Sequence, residues 1–157
     1  CGSQALALLN AFFDQTRPVS QAFSAKITET GEAARRMNEL LSAQKYRMAG
    51  LEKRVFAGIA ESYGNRGNVL HFEEDLSADG VRELADAIAD KCGGTAAVFS
   101  GSDGGYAYCL IARQGDLRQL GRDMTAALHG RGGGRDGFAQ GSAACTAEDI
   151  RSFFQNR

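Results

Sequence analysis

T-A-A-V-F-S-G-S-D-G-G-Y-A-Y-C-L-I-A-R, residues 95–113, decides the fold of the second half of the chain. Residues 95–99 predict one strand and residues 106–113 predict another, because both runs are rich in apolar and β-forming side chains. Between them, Ser102-Asp103-Gly104-Gly105 is typical of a hairpin turn, since aspartate and glycine tolerate the backbone angles that tight turns need. The stretch therefore predicts two neighbouring antiparallel strands.

The segment upstream of this hairpin adds a strand and a helix. Residues 69–72 predict the strand, and Ser77 is a suitable N-cap for a helix that ends at Gly93-Gly94. The apolar residues of this helix recur at helical spacing and are Val81, Leu84, Ala85, Ile88 and Cys92. The helix is therefore expected to cover one face of the sheet.

The segment downstream of the hairpin predicts a further helix, a loop, a short strand and a last helix. Asp116 is the expected cap of a helix that turns Leu117, Leu120, Met124 and Leu128 inward. A glycine-rich loop and a short strand at residues 138–140 follow, and Thr146 with Asp149 resembles the capping box of a last helix. Residues 64–157 are thus predicted to form a small mixed-sheet α/β domain of order β-α-β-β-α-loop-β-α.

Residues 1–63 lack strand patterns and are predicted to be a helical segment. The first helix, residues 4–16, is expected to end at Arg17-Pro18, because proline cannot donate a backbone hydrogen bond. A short helix to about Glu29 and a break at Thr30-Gly31 follow. Residues 32–62 then form one long helix.

The long helix carries an apolar seam at spacings of three and four, which is typical of a coiled coil. Phe23 and Ile27 keep the same phase upstream. The seam predicts packing either against the first two helices or against a second copy of the chain, and we expect a homodimer. The residues expected to form the dimer contact are Met37, Leu41, Met48, Leu51 and Val55.

The glycine-rich run at residues 129–142 reads H-G-R-G-G-G-R-D-G-F-A-Q-G-S. Glycines let the backbone N–H groups approach an anion, and Arg131 and Arg135 add planar cations that match phosphate oxygens. A flexible surface loop is the alternative. The formal G-x-G-x-x-G pattern is not a dinucleotide site, because it follows a helix rather than a strand.

Composition adds further limits. The chain of 157 residues is 43% apolar and has no run of about 18 apolar residues, so no membrane span is expected. It opens with Cys1 and without a signal-like start, which suggests an excised fragment. Its four cysteines, at positions 1, 92, 109 and 145, are dispersed, so reduced thiols and a cytoplasmic protein are expected.

The charges are divided along the sequence. Residues 73–91 contain seven acidic residues, whereas residues 113–136 contain five arginines and three aspartates. This division predicts an acidic end and a basic end that contains the glycine run, and the basic end would attract a polyanion.

The order of elements, ending in G-R-G-G-G-R-D-G-F-A-Q-G at residues 130–141, resembles the DHH-associated domain. That domain occurs at the C-terminus of alanyl-tRNA synthetases and of freestanding alanyl-tRNA editing proteins. V-R-E-L-A-D at residues 81–86 is similar to the L-R-x-L-A-D helix of the family, and C-G-S-Q-A-L at residues 1–6 to its C-G-x-R-A-L segment. The chain departs from the family pattern at Gln4, at residues 136–138 and at Ser142.

The resemblance implies a module that binds tRNA of the alanine system and self-associates, without a cofactor. The parent protein would be an aminoacyl-tRNA editing hydrolase or an alanine-tRNA ligase. The residues expected to contact nucleic acid are Arg131, Gly132, Gly133, Gly134, Arg135, Phe138 and Gln140. Phe138 would stack on a base or anchor the loop.

No catalytic residue and no metal site are expected in this chain. The zinc motifs of the editing family, H-x-x-x-H and C-x-x-x-H, and the D-H-H signature of the related phosphoesterases do not occur, and His71 and His129 have no His or Cys at ligand spacing. Two alternatives stay open. The chain could be a purely structural dimerisation and docking piece, or the substrate-binding half of a DHH phosphoesterase.

Overall fold

The computed structural model describes residues 2–155, which divide into two compact units, one ending at Ala49 and one beginning at Gly50. Cys1, and with it the first position of C-G-S-Q-A-L, lies outside the described residues. The elements in chain order are α1 (Gly2–Ala22), a 3-10 turn (Ile27–Glu29), α2 (Thr30–Glu61), β1 (Gly67–Glu73), α3 (Ala78–Cys92), β2 (Gly93–Ser102), β3 (Gly105–Asp116), α4 (Arg118–Ala127), β4 (Arg131–Ala143) and α5 (Ala147–Gln155). The predicted fold class, a helical extension followed by a small mixed-sheet α/β domain, is confirmed.

The first helix continues through its proline, so the predicted break at Arg17-Pro18 is wrong. Pro18 lies inside α1, which extends to Ala22. A proline removes one hydrogen bond and can kink a helix, but the residues on both sides can still complete the remaining bonds. The helix ends instead before Ser24, which adopts a left-handed conformation with φ +48°.

The long helix begins at Thr30, so the predicted extension of the seam to Phe23 and Ile27 is wrong. Phe23 lies in the turn after α1, and Ile27 lies in the 3-10 turn, which replaces the predicted short helix. A heptad phase holds only along one continuous helix, so these two residues are not part of the seam.

Both helices of the first unit expose their apolar faces. α1 buries no residue, and its apolar side chains are exposed, among them Leu6, Leu9, Phe12 and Phe13. Met37, Leu41 and Met48 of α2 are also exposed, by 45%, 45% and 60%. The alternative in which the seam packs against the first helices is therefore not the arrangement in this structure.

The second unit contains a four-stranded sheet of order β1-β2-β3-β4. β1 and β2 are parallel and are joined by α3, whereas β2, β3 and β4 are antiparallel neighbours. The predicted helix signals act as expected: Ser77 Oγ accepts the N–H of Gly80, and Gly93 closes α3 with φ +76°. The Thr146 and Asp149 side chains each accept the other's backbone N–H, as a capping box requires.

Each face of the sheet has its own apolar core, because side chains alternate along the strands. α3 covers one face, together with Phe56 and Ala60 at the end of α2. α4 and α5 cover the other face, where Phe99 is completely buried among aromatic rings. The end of α2 is thus part of the core of the second unit, which the seam pattern did not predict.

Three of the four cysteines, Cys92, Cys109 and Cys145, are described, and all three are buried free thiols, as expected. Burial raises the pKa of Cys109 to about 12, so this thiol stays protonated at neutral pH. None of the helices within residues 2–155 is long and apolar enough to cross a membrane.

Candidate nucleic-acid interface

The glycine run is not an irregular loop, because it lies within strand β4, which extends over Arg131–Ala143. The chain also reverses within this strand. A Cβ added at Gly130 would lie 2.6 Å from Ser142 O, one added at Gly132 would meet Gln140 O, and one added at Gly134 would lie 3.0 Å from Phe138 O. These pairs are related by a constant register, so the run forms a hairpin. We call residues 130–142 the glycine hairpin.

Glycine is required in this hairpin where its two arms meet. A Cβ at Gly141 would collide with Arg131 O and would lie 2.7 Å from Gly132 Cα. At the reversal, Gly137 has φ +67°, and a Cβ there would lie 2.7 Å from Ala112 O. Gly133, in contrast, does not adopt a positive φ, and a Cβ added there would have no atom within 4 Å. The pattern of glycines therefore reflects close backbone contact at some positions and accessibility at others.

The hairpin changes which backbone groups a ligand could reach. In an antiparallel pair, alternate N–H groups point toward the partner arm and the others point away from it. A ligand at the edge arm could therefore meet only those N–H groups that point away from the partner arm. The outward-facing groups of the arm at the sheet edge remain the candidate donors.

The structure brings the seven predicted contact residues together on this hairpin. Arg131, Arg135 and Gln140 are exposed. Phe138 is half-buried and packs on the α3 core, and the guanidinium of Arg135 lies over its ring at 5.4 Å from the centroid. In this structure the Phe138 ring therefore packs on the core and also contacts Arg135.

A cavity of about 670 Å³ opens on the hairpin from the side of α3. Ala78 and Val81 of α3 form one wall, and Arg135 and Gln140 of the hairpin form part of the other. A second groove of about 340 Å³ lies between the same arm, residues 132–134, and α4. We call this second space the α4 groove. The arm at the sheet edge therefore borders concave surfaces on both sides.

The basic end predicted from the sequence is smaller in the folded chain. Arg113 Nη2 pairs with Asp86 Oδ1 at 2.8 Å and with Asp90 Oδ1 at 2.6 Å. Arg118 Nη2 pairs with Asp116 at 2.8 Å and with Asp136 at 3.1 Å. The hydrogen bond from Arg118 holds the pKa of Asp116 below its usual value, so this carboxylate stays charged. Two of the five arginines are therefore neutralised locally.

Arg122 is a basic residue of this surface that the sequence interpretation missed. It lines the α4 groove together with Arg118 and Thr125, and its Nη2 donates to the neutral Gln119 Oε1 at 3.1 Å. Arg118 and Arg122 are four residues apart, and that spacing puts two side chains on the same face of a helix. The spacing was visible in the sequence, but the position of that face beside the hairpin was not.

Tyr108 of β3 lies under the hairpin and was also missed. Its side chain is buried, including the hydroxyl oxygen. A Cβ at Gly132 or Gly141 would lie 2.5 or 2.8 Å from that oxygen, so the two glycine backbones cover it closely. Burial raises the pKa of Tyr108, and hydrogen bonding to the Thr125 side chain, whose oxygen can accept from the phenol hydroxyl, opposes the shift.

His71 makes local contacts. Its Nδ1 lies 2.9 Å from Tyr63 Oη, and its Nε2 lies 3.2 Å from Glu73 Oε1. Across the described part of the chain, no group of three or more His, Cys, Asp or Glu side chains is arranged to hold a metal ion.

The family comparison agrees with this architecture. The DHHA1 domain family matches residues 65–156. No curated protein is significantly similar in sequence. Among solved structures, the C-Ala domain of alanyl-tRNA synthetase from Aquifex aeolicus is similar, with 20% identity and a TM-score of 0.46 over 55% of this chain and 87% of that one. The family match extends over more than half of the chain and includes α3, the sheet, the glycine hairpin and α5. The chain therefore belongs to the DHHA1 domain family.

Proposed function

We propose that the chain is a tRNA-binding module that also self-associates. The observation that carries the proposal is the glycine hairpin, where the exposed Arg131 and Arg135 flank an edge arm that borders two concave surfaces. Guanidinium groups and outward-facing N–H groups bind phosphate oxygens, so such a surface binds RNA mainly through its backbone. The sequence resembles the DHH-associated domain of alanyl-tRNA synthetases and alanyl-tRNA editing proteins, which favours an alanine tRNA as the ligand. A tRNA-binding role implies a cytoplasmic location.

In this proposal the chain itself performs no catalysis. It supports the zinc-dependent deacylation of mischarged tRNA, or the aminoacylation of tRNA, that another part of an editing protein or of an alanine-tRNA ligase would perform. Residues 64–157 would hold the RNA, and residues 1–63 would supply the dimer contact. If the chain were instead the substrate-binding half of a DHH phosphoesterase, the same hairpin would bind the phosphates of a different nucleic acid. If it were a purely structural docking piece, the hairpin would contact no phosphate.

The double variant Arg131→Ala/Arg135→Ala tests the RNA-binding proposal. We expect tRNA affinity to fall about tenfold or more, because each arginine contacts a phosphate. The slope of log K against log salt concentration should also decrease by about 0.7 to 0.9 for each lost contact. The free energy of unfolding should change by no more than about 1 kcal/mol, most of it from the contact between Arg135 and Phe138. A salt titration of binding to an alanine tRNA transcript measures the first two effects.

The matched control is Arg36→Ala/Arg54→Ala, which removes the same charge from α2. It should bind with almost wild-type affinity. Equal losses in both double variants would show that net charge rather than the hairpin drives binding. An unchanged affinity and salt slope in the hairpin variant would favour the structural docking alternative.

We propose that the self-association uses the seam of α2, with a second copy of the chain as the occupant. α2 is about 48 Å long at the rise of an α-helix. Its seam continues beyond Met48 with Leu51 and Val55, whose side chains are 50% and 59% exposed. Apolar side chains at spacings of three and four along one exposed face are those that coiled-coil partners cover. Within the first unit, no other described element covers Met37, Leu41 or Met48.

Leu41→Asp should weaken the dimer about 100-fold or more, because it puts a charge from each copy into an apolar contact. Sedimentation equilibrium at micromolar concentration measures this. Tyr46→Asp is the matched control, because Tyr46 lies on the same helix outside the seam and is 85% exposed. It should dimerise like the wild type. A wild-type chain that is monomeric under these conditions, or equal dimerisation of both variants, would contradict the proposal.

A further inference from the structure

A cavity of about 450 Å³ opens on the sheet face that α4 and α5 cover, beside the edge strand β1. We call it the α5 cavity. It shares no lining residue with the cavity on the α3 side of the glycine hairpin or with the α4 groove. Its volume lies within the range of about 300 to 1,000 Å³ that small-molecule sites occupy. The second unit therefore has a concave site away from the hairpin.

The floor of the α5 cavity is a patch of the sheet itself. Asn68 and Leu70 are two residues apart on β1, and Thr95 and Ala97 are two apart on β2, so the members of each pair share a sheet face. β1 and β2 are parallel, with Leu70 beside Ala97. Asn68 Oδ1 accepts the N–H of Thr95 at 3.0 Å, which fixes the side-chain amide and leaves its Nδ2 as a donor.

Two helices form the walls of the α5 cavity. Leu117 and Leu120, at the start of α4, contribute apolar side chains. Arg151, Phe154 and Gln155 are three and four residues apart on α5, a spacing that puts them on one face of the helix. Phe154 is half-buried and packs on the aromatic core of this sheet face. The cavity thus combines an apolar lining and an aromatic ring with amide and guanidinium donors.

Arg151 gives the α5 cavity a positive charge, and no carboxylate within residues 2–155 pairs with it. Its guanidinium carbon lies 4.8 Å from the centroid of the Phe72 ring, which is an uncharged partner. Asp116 also borders the cavity, but both of its carboxylate oxygens accept hydrogen bonds from Arg118. A bound anion would therefore meet one available guanidinium, whose planar donors match phosphate oxygens.

We propose that the α5 cavity binds one nucleotide, with the base against the apolar floor and the Phe154 ring and the phosphate at Arg151. The amide groups of Asn68 and Gln155 would bind the edge of the base. Proteins recognise unstacked bases with this combination of aromatic rings, amides and guanidinium groups. Two sources present the same chemistry: a free nucleoside monophosphate, and an unpaired nucleotide of an RNA. The proposal goes beyond the tRNA-binding hairpin, because no residue of the hairpin takes part.

Titration of the full chain with adenosine 5′-monophosphate (AMP), followed by NMR, tests the proposal. We expect saturable shifts of the side-chain amide signals of Asn68 and Gln155. Arg151→Gln should weaken AMP binding about tenfold or more, because charged hydrogen bonds to the phosphate are lost. Adenosine, which lacks the phosphate, should bind the wild type and this variant equally. Leu120→Trp should abolish both interactions, because the larger ring would fill the cavity.

Two controls locate the effect in the α5 cavity. Arg47→Gln removes the same charge from an exposed position of α2 and should bind AMP like the wild type. Arg131→Ala/Arg135→Ala should also keep full AMP affinity. The two sources are separated by an alanine tRNA transcript: an unpaired RNA nucleotide is the source if Arg151→Gln also weakens transcript binding and AMP competes with it. A free nucleotide is the source if transcript binding is unchanged.

Three results would overturn the nucleotide assignment. The first is the absence of shifts at Asn68 and Gln155 with millimolar AMP, or equal AMP affinity of Arg151→Gln and the wild type. The second is loss of AMP binding in Arg131→Ala/Arg135→Ala, which would place the nucleotide at the hairpin. The third is binding of benzoate as tightly as AMP, which would show a site for aromatic acids in general. None of these results bears on the tRNA-binding proposal, which the salt titration of the hairpin variant tests separately.

Discussion

Gly141→Ala should lower the free energy of unfolding by about 2 to 3 kcal/mol, because the added methyl group has no space. Its Cβ would collide with Arg131 O and would lie 2.8 Å from Tyr108 Oη. The first of these is backbone, which cannot rotate away as a flexible side chain could. The two arms of the hairpin would separate, so tRNA binding should weaken as well. Urea unfolding of the variant and of the wild type measures the first effect.

Gly133→Ala is the matched control within the same arm. Gly133 has no atom within 4 Å of the added carbon and does not adopt a positive φ. Alanine should therefore leave stability unchanged or raise it by up to about 1 kcal/mol, because it restricts the unfolded chain. Equal destabilisation by both substitutions would contradict the close contact of the two arms.

Phe99→Ala should cost about 3 to 5 kcal/mol, the largest effect we expect from a single substitution. Phe99 is 0% exposed and lies on β2, on the sheet face that α4 and α5 cover. Its ring centroid is 5.8 Å from that of Phe72, 5.7 Å from that of Tyr108 and 6.1 Å from that of Phe154. Its removal would leave a cavity and would also remove edge-to-face and offset contacts between the rings.

A graded control for Phe99 is leucine. Phe99→Leu keeps most of the buried apolar volume and should cost less than about half as much as Phe99→Ala. Thermal and urea unfolding should rank the three proteins in the same order. A cost below about 1 kcal/mol for Phe99→Ala would mean that the aromatic cluster is not a packed core.

The sequence predicted the elements of the second unit well because their signals are local. The apolar run and turn residues at residues 95–113 define a hairpin wherever they stand in the chain, and β2 and β3 pair as expected. Ser77, Gly93 and the Thr146–Asp149 pair act on backbone groups a few residues away. Caps and turns of this kind depend little on distant parts of the chain.

The sequence-based predictions were wrong where patterns of neighbouring residues do not decide the structure. Glycines suggested a loop, but at Gly132 and Gly141 their purpose is to let two backbone arms touch. Phe56 was outside the heptad seam and is buried by a sheet that begins after α2 ends. Pro18 was expected to end a helix that can accommodate it. For the glycines and Phe56, the residues that they contact are distant in the sequence. For Pro18, the adjacent residues do not show that the other backbone hydrogen bonds of the helix are enough to continue it.

For the candidate site, the sequence by itself determined which residue types are present: glycines, Arg131, Arg135 and Phe138 within one short run, inside a domain whose family it also indicated. Only the tertiary structure decided which of the arginines are available. Arg113 and Arg118 are neutralised by aspartates, whereas Arg122 lines a groove beside the hairpin. Only folding, likewise, buries the Tyr108 hydroxyl under two glycines. The physical reason is that ion pairing and desolvation depend on distances in space, and the sheet sets these between residues far apart in the sequence.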